Sequence, residues 1–173
     1  MKNKLLIAAL IFPIVILGLI TVNKYVKVNF GTELTIPIKG FDPRDILSGH
    51  YLIYRIDYGP NANCDYEKYT EDAYMCLKKT DGKYSSEIRR YMPAHYKDKY
   101  LAVIRGECHK GRFKAGIERF YIPENAAVTL DRVVRNGKGK IVLSVTPDGK
   151  AMVKDLLIDD KSWKKYVDEY QEP

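Results

Sequence analysis

One uncharged apolar run at the N-terminus constrains the fold of this chain more than any other feature. Residues Leu5 to Val22 carry no charged side chain, and the run is flanked by Lys4 and Lys24. At about 1.5 Å of rise per residue, a helix over this run approaches the ~30 Å hydrocarbon thickness of a bilayer. Pro13 would weaken a soluble helix, but membrane-spanning helices tolerate it. We therefore predict a transmembrane anchor over residues 1–24, with the bilayer as its partner.

A cleaved signal peptide is the alternative interpretation of the same run. It would have a shorter apolar region followed by a small-x-small cleavage site, and Thr21, Val22 and Asn23 do not supply one. Because lysines flank both ends of the run, the positive-inside rule gives almost no information about its orientation in the membrane. The orientation therefore rests on the tail before the run, which is too short to be a domain. We expect the folded part to lie outside the cytoplasm.

The remaining composition indicates one globular domain with a packed core. The chain has 173 residues, of which 46% are hydrophobic and 12% aromatic, so burial can offset the loss of chain entropy on folding. Lys and Arg number 29 against 22 Asp and Glu, which gives a formal charge of +7. Because the basic residues are scattered along the chain, the charge favours a solvated surface over a polyanion site.

Turn signals and β-rich runs predict a mainly β (α+β) domain over residues 25–158. We expect a small antiparallel barrel or sandwich with one main helix, Asn125–Val134, whose apolar residues recur at helical spacing. The predicted strands are Tyr25–Phe30, Glu33–Ile38, Tyr51–Tyr58, Tyr100–Glu107, Arg112–Ile122, Lys140–Thr146 and Ala151–Ile158.

Two segments are expected outside this β framework. Residues 59–95 are rich in turn residues and poor in aliphatic ones, so they are interpreted as an excursion, with a possible helix over Thr70–Lys79. The charged tail, residues 159–173, is expected to form a peripheral helix that ends near Tyr170.

Three cysteines fit an oxidising compartment. Cys64 and Cys76 bracket the polar excursion, and we predict that they form a disulfide, which leaves Cys108 as a buried or reactive thiol. Zinc is a sharper alternative because His109 follows Cys108, but the sequence has no C-x-x-C pair. We predict no metal site and no cofactor.

The segment Asp42–Gly49 is typical of a single capped helical turn between two strands. Asp42 can cap the turn, Pro43 suits its first position, and Gly49 suits a left-handed exit. The same segment holds Arg44, Asp45, Ser48 and His50, so acid-base or serine chemistry is the alternative. We interpret the turn as structural and assign no catalytic residue.

The segment Gly40–Tyr51 resembles the signature region of the bacterial GDYXXLXY family of membrane-associated proteins. The stretch Arg119–Glu124 and the hairpin around Pro147-Asp148-Gly149 are also similar to that family. The chain departs from the name-giving motif in having His50 for Asp, Tyr54 for Leu and Ile56 for Tyr. The resemblance implies a bacterial envelope location and supplies no mechanism. Together with the predicted anchor, it leads us to expect a single-pass protein of the bacterial inner membrane with a periplasmic C-terminal domain.

These observations favour an envelope interaction or assembly module that binds a membrane-protein partner. A membrane-tethered hydrolase using the Asp42–His50 turn and a polyanion-binding module are the alternatives. An extracytoplasmic location argues against a nucleic-acid partner. The candidate binding motif consists of Asp42, Arg44, Asp45, Gly49, His50 and Tyr51.

Overall fold

The computed structural model describes residues 2–40, 51–60, 62–64 and 72–171. Two curled antiparallel sheets follow a long N-terminal helix, which confirms the mainly β fold class. The helices are α1 (Lys2–Asn29), α2 (Glu124–Arg135) and α3 (Trp163–Gln171), with a short 3₁₀ helix at Tyr96–Asp98. The strands are β1 (Thr32–Gly40), β2 (Tyr51–Ile56), β3 (Ala73–Thr80), β4 (Lys83–Arg89), β5 (Ala102–His109), β6 (Arg112–Lys114), β7 (Arg119–Tyr121), β8 (Gly139–Val145), β9 (Ala151–Ile158) and β10 (Lys161–Ser162).

Each sheet forms half of an open barrel. The larger sheet has the strand order β10-β9-β8-β1-β2-β7, and the smaller one has the order β4-β3-β5-β6. β1 is the central scaffold of the larger sheet because it pairs along most of its length with β8, from Thr32 opposite Val145 to Ile38 opposite Gly139. β2 pairs with only the far end of β1, so it reaches past that strand toward β7.

Helix α1 is longer than the predicted anchor. Its residues Ala9–Asn29 are long and apolar enough to cross a membrane, and none of them is buried inside the protein. The predicted strand over Tyr25–Phe30 is wrong, because the helix continues through Asn29 and Phe30 N–H still donates to the Val26 carbonyl at 2.9 Å. The helix therefore ends almost where the first strand begins.

The described residues of the polar segment interpreted as an excursion include β3 and β4, two of the four strands of the smaller sheet. β3 and β4 pair as a hairpin across Asp81 and Gly82, both of which have positive φ as a tight hairpin turn requires. The helix predicted over Thr70–Lys79 is wrong for its described part, since Ala73, Met75 and Leu77 alternate into the core as strand residues.

The elements after residue 122 follow the sequence prediction, whereas the single strand predicted over Arg112–Ile122 is wrong, because β6 and β7 are separate short strands in different sheets. Helix α2 buries Ala126, Leu130 and Val134, which lie one turn apart on one face. The β8–β9 hairpin turns at residues 147–149 as predicted. The tail forms α3, and Trp163 at its start packs edge-on against Phe120 at 6.2 Å between ring centroids.

Candidate functional site

Strand β2 carries residues Tyr51–Ile56 of the motif, and its described side chains alternate between the core and the surface. Leu52 and Tyr54 are almost fully buried, while Arg55 between Tyr54 and Ile56 is exposed. The Tyr54 hydroxyl donates to the main-chain carbonyl of Ile117, and its own N–H donates to the Glu118 carbonyl at 3.2 Å. The motif strand is thereby tied to the segment that leads into β7.

The predicted binding motif falls mostly outside the described residues. Asp42, Arg44, Asp45, Gly49 and His50 belong to that undescribed part of the chain. Tyr51 opens β2, where its backbone pairs opposite Tyr121. The structure therefore places one end of the motif at the β2–β7 edge of the larger sheet.

The disulfide joins Cys64 to Cys108, with 5.6 Å between their Cα atoms, and Cys76 is a free thiol. The predicted Cys64–Cys76 pairing is therefore wrong. The bond ties the segment after β2 to the end of β5, and Cys64 N–H also donates to the Gly111 carbonyl at 3.1 Å. The prediction paired Cys64 with Cys76 because they bracket the polar segment, whereas the fold pairs the two cysteines that are 44 residues apart.

Strand alternation is the physical reason that Cys76 is excluded from the bond. Its neighbours Met75 and Leu77 face the core between the sheets, where Cys64 and Cys108 also lie. A strand side chain between two inward residues faces the opposite side. Cys76 accordingly packs on the outer face of the smaller sheet with Tyr100 and Val103.

A cleft of about 910 Å³ opens between β2 and the β5–β6 hairpin. Its apolar lining includes Ile53, Ile56, Tyr58 and Phe113. The Tyr58 and Phe113 rings meet edge to face with centroids 5.6 Å apart, which fixes both side chains across the two sheets. The cleft has the size of an ordinary small-molecule site.

Basic side chains dominate the polar lining of this cleft. Arg55 and Arg112 are close enough that burial, together with the positive charge of Arg112, lowers the pKa of Arg55. The carboxylate among the lining residues is that of Glu118, and it accepts a hydrogen bond from Ala115 N–H at 2.7 Å. The basic lining residues are Arg55, His109, Lys110, Arg112, Lys114 and Arg119.

Tyr58, one of the residues that line the cleft, carries an unsatisfied buried hydroxyl. Tyr58 is 3% exposed, and its oxygen has no hydrogen-bond partner. Burial, then the charge of Glu118 and the nearby Tyr54, raise its pKa well above the usual value for a phenol. The group is therefore a neutral donor at any physiological pH, and an unmade hydrogen bond at such a site is costly.

Sequence reasoning did not find this cleft. Arg55 and the Lys110–Arg119 stretch are far apart along the chain, and only the packing of the sheets brings them together. The sequence predicts strands on both sides of residues 108–111, and the basic residues His109, Lys110 and Arg112 in and after this connection were the available signal. Within the described ranges, no group of three His, Cys, Asp or Glu residues could hold a metal ion.

The fold and the cleft can now be set beside known proteins. A family model described as GDYXXLXY protein matches residues 13–156, which include most of α1, the smaller sheet, the cleft, α2 and the larger sheet except β10 and the end of β9. No curated protein and no solved structure matches the chain. The apolar helix, as signal or anchor, and the disulfide indicate an extracytoplasmic location. Since the family model covers most of its length, the chain belongs to the GDYXXLXY family.

Proposed function

We propose that this protein is a single-pass component of the bacterial inner membrane whose periplasmic β domain binds a membrane-protein partner as an interaction or assembly module. The observation that carries the proposal is the direct connection between anchor and domain. Only Phe30 and Gly31 lie between the end of α1 at Asn29 and the start of β1 at Thr32. A connection this short leaves no flexible linker of the kind that lets tethered domains move independently.

The end of α1 is also hydrogen-bonded to the neighbouring strand β8. Ser144 on β8 donates its hydroxyl proton to the Lys27 carbonyl at 2.9 Å, and this carbonyl is one of those that a helix end leaves without an internal partner. Lys27 is also close to Asp148 in the β8–β9 turn. A hydrogen bond with Thr146, and to a lesser degree the charge of Lys27, lower the pKa of Asp148. The β domain is thus held at a defined height and rotation relative to the anchor.

The exposed surface of α1 supports a role within the bilayer. The described apolar side chains from Leu10 to Val26 are exposed to a large extent, so the β domain does not cover them. Tyr25 is 65% and Phe30 78% exposed at the end of the apolar span, where aromatic side chains are enriched in membrane proteins. Lipid and a partner's transmembrane helix are both suited to cover such a surface.

The signature motif supplies the proposed periplasmic contact. The proposed contact residues precede β2 in sequence or open it, and β2 lines the cleft. They are Asp42, Arg44, Asp45, Gly49, His50 and Tyr51. Surface segments held by a rigid scaffold are common binding elements. A membrane partner would then contact both the anchor and this part of the β domain.

Cross-linking in native membranes, before detergent is added, tests the proposal. The native protein should enrich one integral membrane protein after affinity purification. A variant with a flexible Gly-Ser insertion between Phe30 and Gly31 should recover several-fold less of it, and so should a variant whose anchor is replaced by an unrelated single-pass helix. Equal recovery by all three versions, or enrichment of a soluble protein alone, would contradict the proposal.

A further inference from the structure

We propose that the cleft between β2 and the β5–β6 hairpin is a binding site for a small organic anion, with an acidic carboxylate or phosphate head group on an apolar body. The proposal concerns a ligand site in the β domain and does not depend on the membrane-protein partner. Its geometry joins three features: a cleft of small-molecule volume, a basic polar lining and an apolar part of the lining.

The positive charge of the cleft lining favours a negatively charged ligand. Lys110, Arg112 and Lys114 take part in none of the ion pairs found among the described residues, whereas Arg55 and Arg119 have other interactions. The argument therefore depends on the first three. Like charges gathered in a concave surface with low-dielectric walls concentrate the field and attract anions. A bound anion would also relieve the mutual repulsion of Arg55 and Arg112.

The unpartnered hydroxyl of Tyr58 is the second, independent observation. Its oxygen is buried without a partner, and Tyr58 is one of the residues that line the cleft. A neutral phenol can donate a hydrogen bond to a carboxylate or phosphate oxygen, and such a bond would satisfy the buried hydroxyl. Hydrogen bonds to a charged acceptor are about twice as strong as those between neutral groups.

The apolar part of the cleft lining favours a ligand that also has an apolar group. The Tyr58 and Phe113 rings are already buried in the core, whereas Ile53 and Ile56 of β2 line the cleft and are half-buried, so they present aliphatic surface to it. A bare inorganic anion would leave this surface in contact with water. A ligand with an aromatic or aliphatic body would bury it and gain the corresponding hydrophobic free energy.

Titration of the full chain in nanodiscs of phosphatidylcholine, which is zwitterionic, tests the proposal against empty nanodiscs. The probes are phenyl phosphate, 3-phenylpropionate, 3-phenylpropylamine and inorganic phosphate. We expect one or both aryl anions to bind, the amine not to bind, and inorganic phosphate to bind at least tenfold more weakly than the better aryl anion. The ratio of the two aryl anions identifies the preferred head group. Equal binding of the amine, or no binding of either aryl anion at millimolar concentration, overturns the proposal.

Four variants locate the site. Arg112→Gln should weaken binding of the better anion at least tenfold, because it removes a charged donor. Tyr58→Phe keeps the ring against Phe113 and should weaken binding several-fold without lowering the melting temperature. Glu118→Gln keeps the acceptor for Ala115 N–H and removes the opposing charge, so binding should strengthen. Lys97→Gln, the same charge change at an exposed position of the 3₁₀ helix, should leave binding unchanged.

The variants also supply the contrary results. If Arg112→Gln and Tyr58→Phe are folded and both bind the anion as the native protein does, the cleft is not the site. If Lys97→Gln weakens binding as much as Arg112→Gln, the interaction is with the overall positive charge. Binding of an acidic peptide in the absence of any aryl-anion binding would replace the small-molecule proposal with a protein-recognition site.

Discussion

The hydroxyl of Ser144 on β8 donates a hydrogen bond to the main-chain carbonyl of Lys27 near the end of α1, at 2.9 Å. Ser144 is almost fully buried and Lys27 is half-buried, so this bond is partly shielded from water. Gly31 lies against the same hydroxyl, because a Cβ atom at position 31 would stand 2.3 Å from the Ser144 oxygen and 2.9 Å from the Val145 carbonyl oxygen. The two contacts together form the junction between anchor and β domain.

The junction predicts a stability effect at two positions. Ser144→Ala should lower the free energy of unfolding of the β domain by about 1 kcal/mol, because one buried hydrogen bond is lost. Gly31→Ala should cost more, since the Val145 carbonyl belongs to the backbone and cannot move aside cheaply. Urea unfolding of the detergent-solubilised chain measures both. A Gly31→Ala variant as stable as the native protein would show that the junction is looser than described.

The disulfide predicts one linkage in oxidised protein. Mass mapping of non-reduced digests should show Cys64 joined to Cys108, with Cys76 free. Replacing both bonded residues with Ser should cost roughly 4 kcal/mol, because the bond closes a long loop in the unfolded chain. Any digest fragment that joins Cys76 to either of the others would contradict this connectivity.

The free thiol predicts a dependence of stability on alkaline pH. Burial, with a smaller effect of Glu87, raises the pKa of Cys76 to about 11. An exposed thiol in the unfolded chain ionises near 8.5, so the unfolded state gains stability first as the pH rises above that value. The contribution of Cys76 is therefore complete below about pH 8.5 and is lost progressively up to its folded pKa.

The matched variant for this effect is Cys76→Ala. It lacks the titrating group, so the native protein should lose more unfolding free energy than the variant between pH 8 and pH 10.5. Parallel profiles for the two proteins would show that the thiol ionises equally in the folded and unfolded states. Alkylation under native conditions at pH 8 should also leave Cys76 unmodified.

The Asp42–Gly49 turn lies outside the described residues, and the prediction for it rests on the sequence. Asp42→Ala should lower the free energy of unfolding by about 1 kcal/mol because it removes a helix cap. His50 lies just beyond the turn in the sequence, so His50→Ala should leave the free energy of unfolding nearly unchanged. An Asp42→Ala variant with an unaltered melting temperature but no partner binding would identify the turn as a contact site instead of a scaffold.

Local signals were sufficient to predict much of the C-terminal half of the fold. The apolar spacing of Ala126, Leu130 and Val134 is a property of one helix, and the turn at Pro147-Asp148-Gly149 is a property of one hairpin. Each of these elements could be recognised without knowing what it packs against. The apolar helix at the N-terminus was recognised for the same reason.

The parts that sequence reasoning missed depend on long-range packing. In sequence, β3 resembles a polar segment because Lys78, Lys79 and Thr80 follow its short buried stretch. The Asp81-Gly82 turn, which indicates a hairpin, was not among the predicted turns. The face on which Cys76 lies follows from the pairing of β3 with β5, which no local pattern specifies. The cleft likewise is lined by β2 of the larger sheet and the β5–β6 hairpin of the smaller one, so its basic residues could not be grouped in advance.

The measurement that tests the central claim most directly is the topology of the full chain in the bacterial membrane. Alkaline phosphatase, which folds only after export, and a green fluorescent protein, which fluoresces only in the cytoplasm, would each be fused after Pro173. An uncleaved α1 with an exported β domain predicts high phosphatase activity in the membrane fraction, no fluorescence, and a fusion of full uncleaved mass. Fluorescence without phosphatase activity, or phosphatase released as a shortened soluble product, would contradict the anchored, extracytoplasmic arrangement.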